Sequence, residues 1–324
     1  MKVGVIGTGS MGLNHVRVYS DLGVLAGITD VNAESGHTVS KRFSTEFYED
    51  AERLMKNVDA VSISTPTFTH YEMVDLAIKN GVDVLVEKPF TGRIELAEEL
   101  CMKAEKEDVL LAVGMVERHN PVVATVKERL NKEEYGKLIT FSSRRVSSMP
   151  ERIRDVGVIM DLGIHDVDVF NYLCGSPVKS VYAIGGSANG SGFEDHANVI
   201  MEAENGIKGI VEVNWLTPMK VRSVSLTCSK VFAEFDYMDQ SVSTSSSRFS
   251  NPNDSSFCYG SPWEFDHRRF SVKKEEPLRR ELQDFLDSSQ SRGRPLVSGR
   301  DVLNDLQICM AALKSIKERK MVSL

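Results

Sequence analysis

The sequence is poor in the features that mark secreted, zinc-stapled or membrane-spanning chains. Its five cysteines, Cys101, Cys174, Cys228, Cys258 and Cys309, are scattered, odd in number and without a Cys-x-x-Cys pair. That spacing excludes a disulfide framework or a zinc cage and is the pattern of reduced thiols. No apolar run approaches the roughly 18 residues that a membrane helix needs. The opening residues, MKVGVIGTGSMG, contain no basic segment followed by an apolar one, so a cytoplasmic location is expected. Positive charge is also in deficit, with 39 Lys and Arg against 46 Asp and Glu. A surface built for nucleic acid is therefore not expected. No internal repeat is present.

What is there is the alternation of an α/β protein. The runs Val3–Gly7, Val24–Asp30, Ala60–Thr65, Val82–Glu87 and Leu110–Met115 are bunched apolar segments, as strands buried on both faces read. Helical patterns such as His70–Asn80 and Glu95–Lys106 lie between them, and Gly23 and Gly81 stand where helices stop. After about residue 120 the pattern changes to hairpin-linked strands, with Asn205-Gly206 as the strongest turn. A helix is expected near Val158–Leu173, an exposed loop over Ser243–Pro262, and closing helices over Pro277–Ser289 and Gly299–Arg319. Ser298 and Asp301 form a capping pair for the last. The fold class expected is α/β: an N-terminal Rossmann doubly wound parallel sheet plus a C-terminal α+β domain with a large open antiparallel sheet. The domains are placed at 1–120 and 121–324.

Gly7-Thr8-Gly9-Ser10-Met11-Gly12 follows the first strand and opens a helix, the setting in which G-x-G-x-x-G binds a dinucleotide. The glycines give the tight turn, the close approach to pyrophosphate and the close helix packing, and the helix N-terminus faces the phosphates. Asp30 ends the second run, where a carboxylate accepts from both ribose hydroxyls and repels a 2′-phosphate. Val31 and Asn32 follow rather than Arg, so NAD is expected over NADP.

Two further elements carry chemistry. Glu87-Lys88-Pro89 ends the fourth of those runs, at the carboxyl edge where open α/β sheets place their ligands. In DLGIHDVD, Asp161, His165 and Asp168 share one face of an α-helix. A histidine tuned by a carboxylate can accept the proton that leaves a hydroxyl as hydride departs. No other His or Cys stands at ligand spacing, so no metal is expected.

On these motifs the chain resembles the glucose–fructose oxidoreductase / inositol dehydrogenase / rhizopine-catabolism family. The likeness runs through VGVIGTGSMGLNH, STPTFTHYEMVDLAIKNGVDVLVEKP, GMVERHNPVV and DLGIHDVD. The resemblance implies that Lys88 holds and polarises the reacting hydroxyl, that His165 is the acid/base and that Asp161 positions it. It lays Thr65, Pro66, Thr67 and His70 along the nicotinamide half of NAD, with Glu87 beside it. It also implies that the last helices pack against the nucleotide domain and that the open sheet forms a homodimer or homotetramer. A narrower likeness, in GMVERHNP and PERIRDVGVIMDLGIHDVD, is to the branch that oxidises the 3-hydroxyl of UDP-N-acetylglucosamine. It makes Arg118, Asn120, Arg152, Arg154, Asp161 and His165 candidates for substrate contact, the arginines through bidentate bonds to a diphosphate. Some nucleotide-sugar members carry Asn at the position of Asp161. Oxidation of a free polyol or sugar stays open, as does a non-catalytic dinucleotide-binding regulator; retention of Lys88, Asp161 and His165 together favours catalysis.

Overall fold

The computed structural model describes residues 1–150, 156–190, 192–249 and 262–324. The chain divides into two compact units, Met1–His119 with Glu276–Gln307, and Asn120–Glu275 with Ile308–Leu324.

The first unit is built on β1 (Val3–Ile6), α1 (Ser10–Asp21), β2 (Leu25–Thr29), α2 (Ala33–Phe43), β3 (Glu46–Phe47), α3 (Ala51–Met55), β4 (Ala60–Ile63), α4 (Thr67–Lys79), β5 (Asp83–Glu87), α5 (Ile94–Lys106) and β6 (Leu111–Gly114). All six strands are parallel, in the order β3-β2-β1-β4-β5-β6. Strands β1, β4, β5 and β6 are buried at every position, the physical reason for their bunched apolar runs. Strand order reverses between β1 and β4, so ligands are expected beyond the carboxyl ends of these strands. Helix Pro277–Ser291 belongs to this unit. Its stripe of Leu278, Leu282, Phe285 and Leu286 enters the same core as Val3, Val5, Val16 and Ile28. Ser298 and Asp301 pair as expected at the start of helix Gly299–Glu318, with Asp301 accepting from Ser298 N at 2.9 Å and Oγ at 2.6 Å.

The second unit contains α6 (Pro121–Asn131), β7 (Leu138–Ser148), a π-helical turn over Ile159–Gly163 that runs into α7 (Ile164–Cys174), and β8 (Val178–Gly186). Strands β9 (His196–Ala203), β10 (Lys208–Asn214), β11 (Leu216–Cys228), β12 (Phe232–Asp236), β13 (Ser241–Phe249) and β14 (Pro262–Ser271) complete it. Their order is β14-β13-β12-β11-β7-β10-β9-β8, with Val322–Ser323 beside β8. Every pair is antiparallel except β7 and β10, so the sheet is mixed at its centre. Helix α7 packs there: Phe170 meets Phe141 edge to face at 5.5 Å, and a Cβ on Gly209 would stand 2.9 Å from the Phe170 ring.

Two sequence expectations change. The stretch Ser243–Phe249, expected as part of a loop, belongs to strand β13, which pairs with β14 along its length and with β12 through Ser245. Its Ser and Thr residues obscure a strand that takes its order from its neighbours, while 250–261 lie outside the described residues. The helix expected from Val158 begins instead as the π-helical turn, which shifts the angular phase of Asp161 relative to His165.

Burial makes one histidine of the first unit a pH-sensitive weight on stability. His119, 5% exposed at the end of the 3₁₀ turn Val116–His119, is pushed down to about 3 by desolvation and by Arg118 and Arg280. Between an unfolded value near 6.5 and this folded value the unfolded chain binds the extra proton, so stability rises with pH across that window and is lost as the pH is lowered. Denaturant unfolding between pH 6.5 and 4 is expected to lose up to about 1.4 kcal/mol per pH unit from this group. A His119→Leu variant should show a correspondingly shallower slope; an unchanged slope contradicts the assignment.

Candidate active site

The glycine loop is shaped by close approach at two positions and by open space at the third. Gly7 adopts φ +87°, and a Cβ there would stand 2.8 Å from the Ser64 carbonyl oxygen. At Gly12 a Cβ would stand 1.9 Å from the Gly7 carbonyl oxygen, so α1 can start against the turn only with glycine. Gly9 has nothing within 4 Å of an added Cβ. That free space lies at the N-cap of α1, which no side chain caps, and suits a pyrophosphate. Ser10 and Met11 open the helix. Asp30 is held by Thr8 N at 2.6 Å, Thr8 Oγ1 at 2.8 Å and Asn32 N at 2.8 Å. Its carboxylate is thereby fixed at the end of β2, the place from which ribose hydroxyls are read. Thr8 thus supports Asp30 through its side chain. These residues fit a dinucleotide without a 2′-phosphate.

At the neighbouring strand ends the expected residues come together. Lys88 follows β5, half-buried, and its bond to Pro89 is cis. Its N–H donates to Glu87 Oε2 at 3.3 Å, while Glu87 Oε1 lies 2.9 Å from His15 Nε2. His70, at 1% exposure, lies with Nδ1 2.9 Å from Pro89 O and Nε2 2.9 Å from Thr65 O. Burial lowers its pKa from the ordinary imidazole value, against the opposing pull of both carbonyls and of Glu87. Thr65, Pro66 and Thr67 form the turn from β4 into α4, with Pro66 as N-cap. His15 was not among the expected site residues. A signal existed: Gly12, His15, Val16 and Tyr19 recur at helical spacing on the buried face of α1.

In the second unit, Asp161 lies in the π-helical turn and His165 in the first turn of α7, at 6% and 8% exposure. Asp168, expected on their face, is fully buried. The turn is held from outside by Glu194, whose Oε1 accepts from Ile159 N at 3.0 Å and whose carbonyl accepts from Val158 N at 2.9 Å. Desolvation raises the Glu194 carboxyl above its ordinary pKa. Asp166 anchors α7 to β7: Arg145 Nε reaches Asp166 Oδ2 at 2.7 Å, and Tyr237 OH donates to Oδ1 at 3.0 Å. Arg145 also lies over the Tyr237 ring, 4.8 Å from its centre. This trio was not anticipated, although Phe141, Ser143 and Arg145 alternate onto the buried side of β7.

The candidate substrate contacts behave differently. Arg118 is buried and donates to Leu296 O at 3.2 Å. Asn120 caps α6 through Val122 N and donates Nδ2 to Tyr237 O at 3.1 Å. Both side chains therefore carry structural bonds. Arg152 and Arg154 lie outside the described residues. Among the described residues no group of three or more His, Cys, Asp or Glu is disposed to hold a metal ion, and no helix is long and apolar enough to cross a membrane.

Comparison with known proteins shows the family. Residues 1–115 match the oxidoreductase family with an NAD-binding Rossmann fold, and residues 123–234 match the GFO/IDH/MocA C-terminal domain. The chain is 30% identical over 307 residues to UDP-N-acetylglucosamine 3-dehydrogenase of Acidithiobacillus ferrooxidans, covering 94% of each chain. The chain belongs to the GFO/IDH/MocA oxidoreductase family. It is also 27% identical over 342 residues to scyllo-inositol 2-dehydrogenase (NAD(+)) of Bacillus subtilis, covering 100% of this chain and 96% of the other. A solved structure of the Acidithiobacillus enzyme superposes with a TM-score of 0.88 at 26% identity, covering 98% of both chains. The GFO/IDH/MocA protein described here is accordingly an NAD-dependent dehydrogenase of the sugar and polyol class.

The glycine geometry sets a direct test of cofactor fit. Gly12→Ala forces a Cβ onto the Gly7 carbonyl and should cost about 1–3 kcal/mol of stability together with NAD binding. Gly9→Ala meets no protein atom, so its stability should stay within about 0.5 kcal/mol of the parent while NAD affinity drops. Thermal unfolding and NAD titration of both variants check this. Unweakened NAD binding in Gly9→Ala would place the pyrophosphate elsewhere.

Proposed function

We propose that the protein oxidises the 3-hydroxyl of UDP-N-acetylglucosamine to the 3-keto sugar, with NAD as hydride acceptor. The observation that carries this reading is its 30% identity, over 94% of both chains, to an enzyme named for that reaction. The site residues supply matching chemistry. Lys88 donates a hydrogen bond to the reacting hydroxyl oxygen and favours its loss of a proton. One ring nitrogen of His165 accepts that proton, and Asp161 orients the imidazole. NAD, when bound, would supply the acceptor for the hydride that leaves the carbon bearing that hydroxyl. Thr65, Pro66, Thr67 and His70, with Glu87, border its nicotinamide half; Arg152 and Arg154 hold the substrate diphosphate. The enzyme acts in the cytoplasm, on a small-molecule substrate.

Oxidation of a free inositol or sugar is the second reading, favoured by the full-length likeness to scyllo-inositol 2-dehydrogenase. Both are decided by supplying NAD⁺ with UDP-N-acetylglucosamine or with free inositols. Reduced nicotinamide is followed by absorbance, and the sugar product, lighter by two hydrogens, by mass spectrometry. The proposal expects oxidation of the nucleotide sugar, and a His165→Asn variant slowed by about 10²–10⁴ with NAD affinity intact. Turnover of free inositol alone would overturn the nucleotide-sugar assignment and keep the dehydrogenase.

The protein works as a homodimer or homotetramer. Tyr182, Ile200 and Ile210 align across β8, β9 and β10, and Ile184, Ile200 and Ile210 are 56%, 47% and 45% exposed on the open sheet. A second copy of the same face would remove this apolar surface from water. Sedimentation of an Ile200→Glu, Ile210→Glu variant should shift toward a single chain; a parent that already sediments as one chain would contradict the assembly.

A further inference from the structure

Lys88 can act on a hydroxyl only if its turn is held still, and two buried histidines grip that turn from either side. On one side the Glu87 carboxylate accepts from the Lys88 N–H through Oε2 and meets His15 Nε2 through Oε1. Glu87 is 8% exposed and His15 fully buried, and Gly114 of β6 leaves only enough room for the carboxylate, since an added Cβ would stand 3.1 Å from it. On the other side His70 Nδ1 meets the carbonyl of Pro89, the residue after Lys88, and its Nε2 meets Thr65 O. The Lys88 N–H is thus linked to His15 through Glu87, and the Pro89 carbonyl lies against His70, whose neutral ring has one N–H to donate to Pro89 O or to Thr65 O. His15 stands in α1, the helix that opens at the glycine loop, and His70 in α4, which follows the Thr65-Pro66-Thr67 turn.

We propose that His15 and His70 are positioning residues, a buried clamp that fixes the Glu87-Lys88-Pro89 turn and with it the direction of the Lys88 side chain. The clamp ties that turn to the two segments that border the dinucleotide. This rests on the reading of Lys88 as the lysine that acts on the reacting hydroxyl. His15 touches neither reacting atom; it acts through Glu87. If His15 were merely part of the core, its loss would lower stability and leave the chemical step of the folded protein unchanged. As a clamp, its loss lowers turnover through Lys88 and through no other group.

The test is a double-mutant cycle with a structural readout. His15→Leu is expected to lower kcat about 100-fold, the effect of a small misplacement of a reacting group, with NAD affinity changed less than about threefold. His15→Gln, which returns an N–H to the Nε2 position, should recover most of the loss. In a Lys88→Met background, His15→Leu should add no more than about a twofold further loss, because groups that act as a unit are not additive. A crystal structure of His15→Leu should show the 87–89 turn displaced. If His15→Leu does not fold, His15→Asn, polar but too short to reach Glu87, takes its place in the cycle. Unchanged kcat, an additive loss in the double variant, or an unmoved turn overturns the clamp. Full turnover in Lys88→Met alone instead overturns the assignment of Lys88 beneath it, so the two failures are told apart.

Discussion

A carboxylate buried at the end of a parallel strand is costly unless each oxygen has a partner, and at Glu87 the partners are His15 and the Lys88 backbone. Most of the first unit's site follows from meeting that constraint. The strand ends at a parallel-sheet edge, where helix N-termini and free backbone groups gather. Glu87 is buried, and its Oε1 lies 2.9 Å from Nε2 of His15 in α1. The same α1 must begin within touching distance of Gly7, which is why Gly12 can carry no side chain. His70 then closes the far side by spanning Thr65 and Pro89. Cofactor loop, acidic support and lysine turn are thus parts of one packed body.

The second unit meets the same difficulty with different residues. Asp166 is fully buried on α7 and is matched by Arg145 of β7, with the Tyr237 hydroxyl on the same carboxylate. Buried ion pairs add little stability over apolar packing, but they tolerate few alternative geometries. Here the pair sets the rotation of α7 on the sheet, one residue from His165. The π-helical turn before it places Asp161 out of step with an ordinary α-helix, a feature that often accompanies functional sites. Glu194 secures the start of that turn.

Legibility in the sequence followed the strength of the local constraint. The parallel sheet was readable because burial on both faces demands unbroken apolar runs, and the glycine loop because steric contact at Gly7 and Gly12 admits nothing larger. Asp30 was readable from its place after β2. The buried partners were not. A histidine in an amphipathic helix looks alike whether it meets solvent or Glu87, and only its alignment with Gly12, Val16 and Tyr19 hinted otherwise. Arg145 reads as a surface charge until its partner across the unit is known. Strand β13 was hidden because its serines lack the apolar alternation of a half-buried strand and its pairing comes from β12 and β14. The parallel pairing of β7 with β10 depends on how the intervening strands fold back, which no local pattern encodes.

Membership of the GFO/IDH/MocA family makes the protein an NAD-dependent dehydrogenase of the sugar and polyol class, and the proposed reaction turns on which carbon gives up the hydride. The most direct measurement supplies UDP-N-acetylglucosamine deuterated at sugar C3 and follows the label into the nicotinamide ring. If C3 is the hydride donor, the reduced cofactor carries the deuterium and turnover slows with a primary isotope effect. Retention of the label in the sugar while reduced cofactor accumulates would contradict that assignment, since the hydride would then have left another carbon.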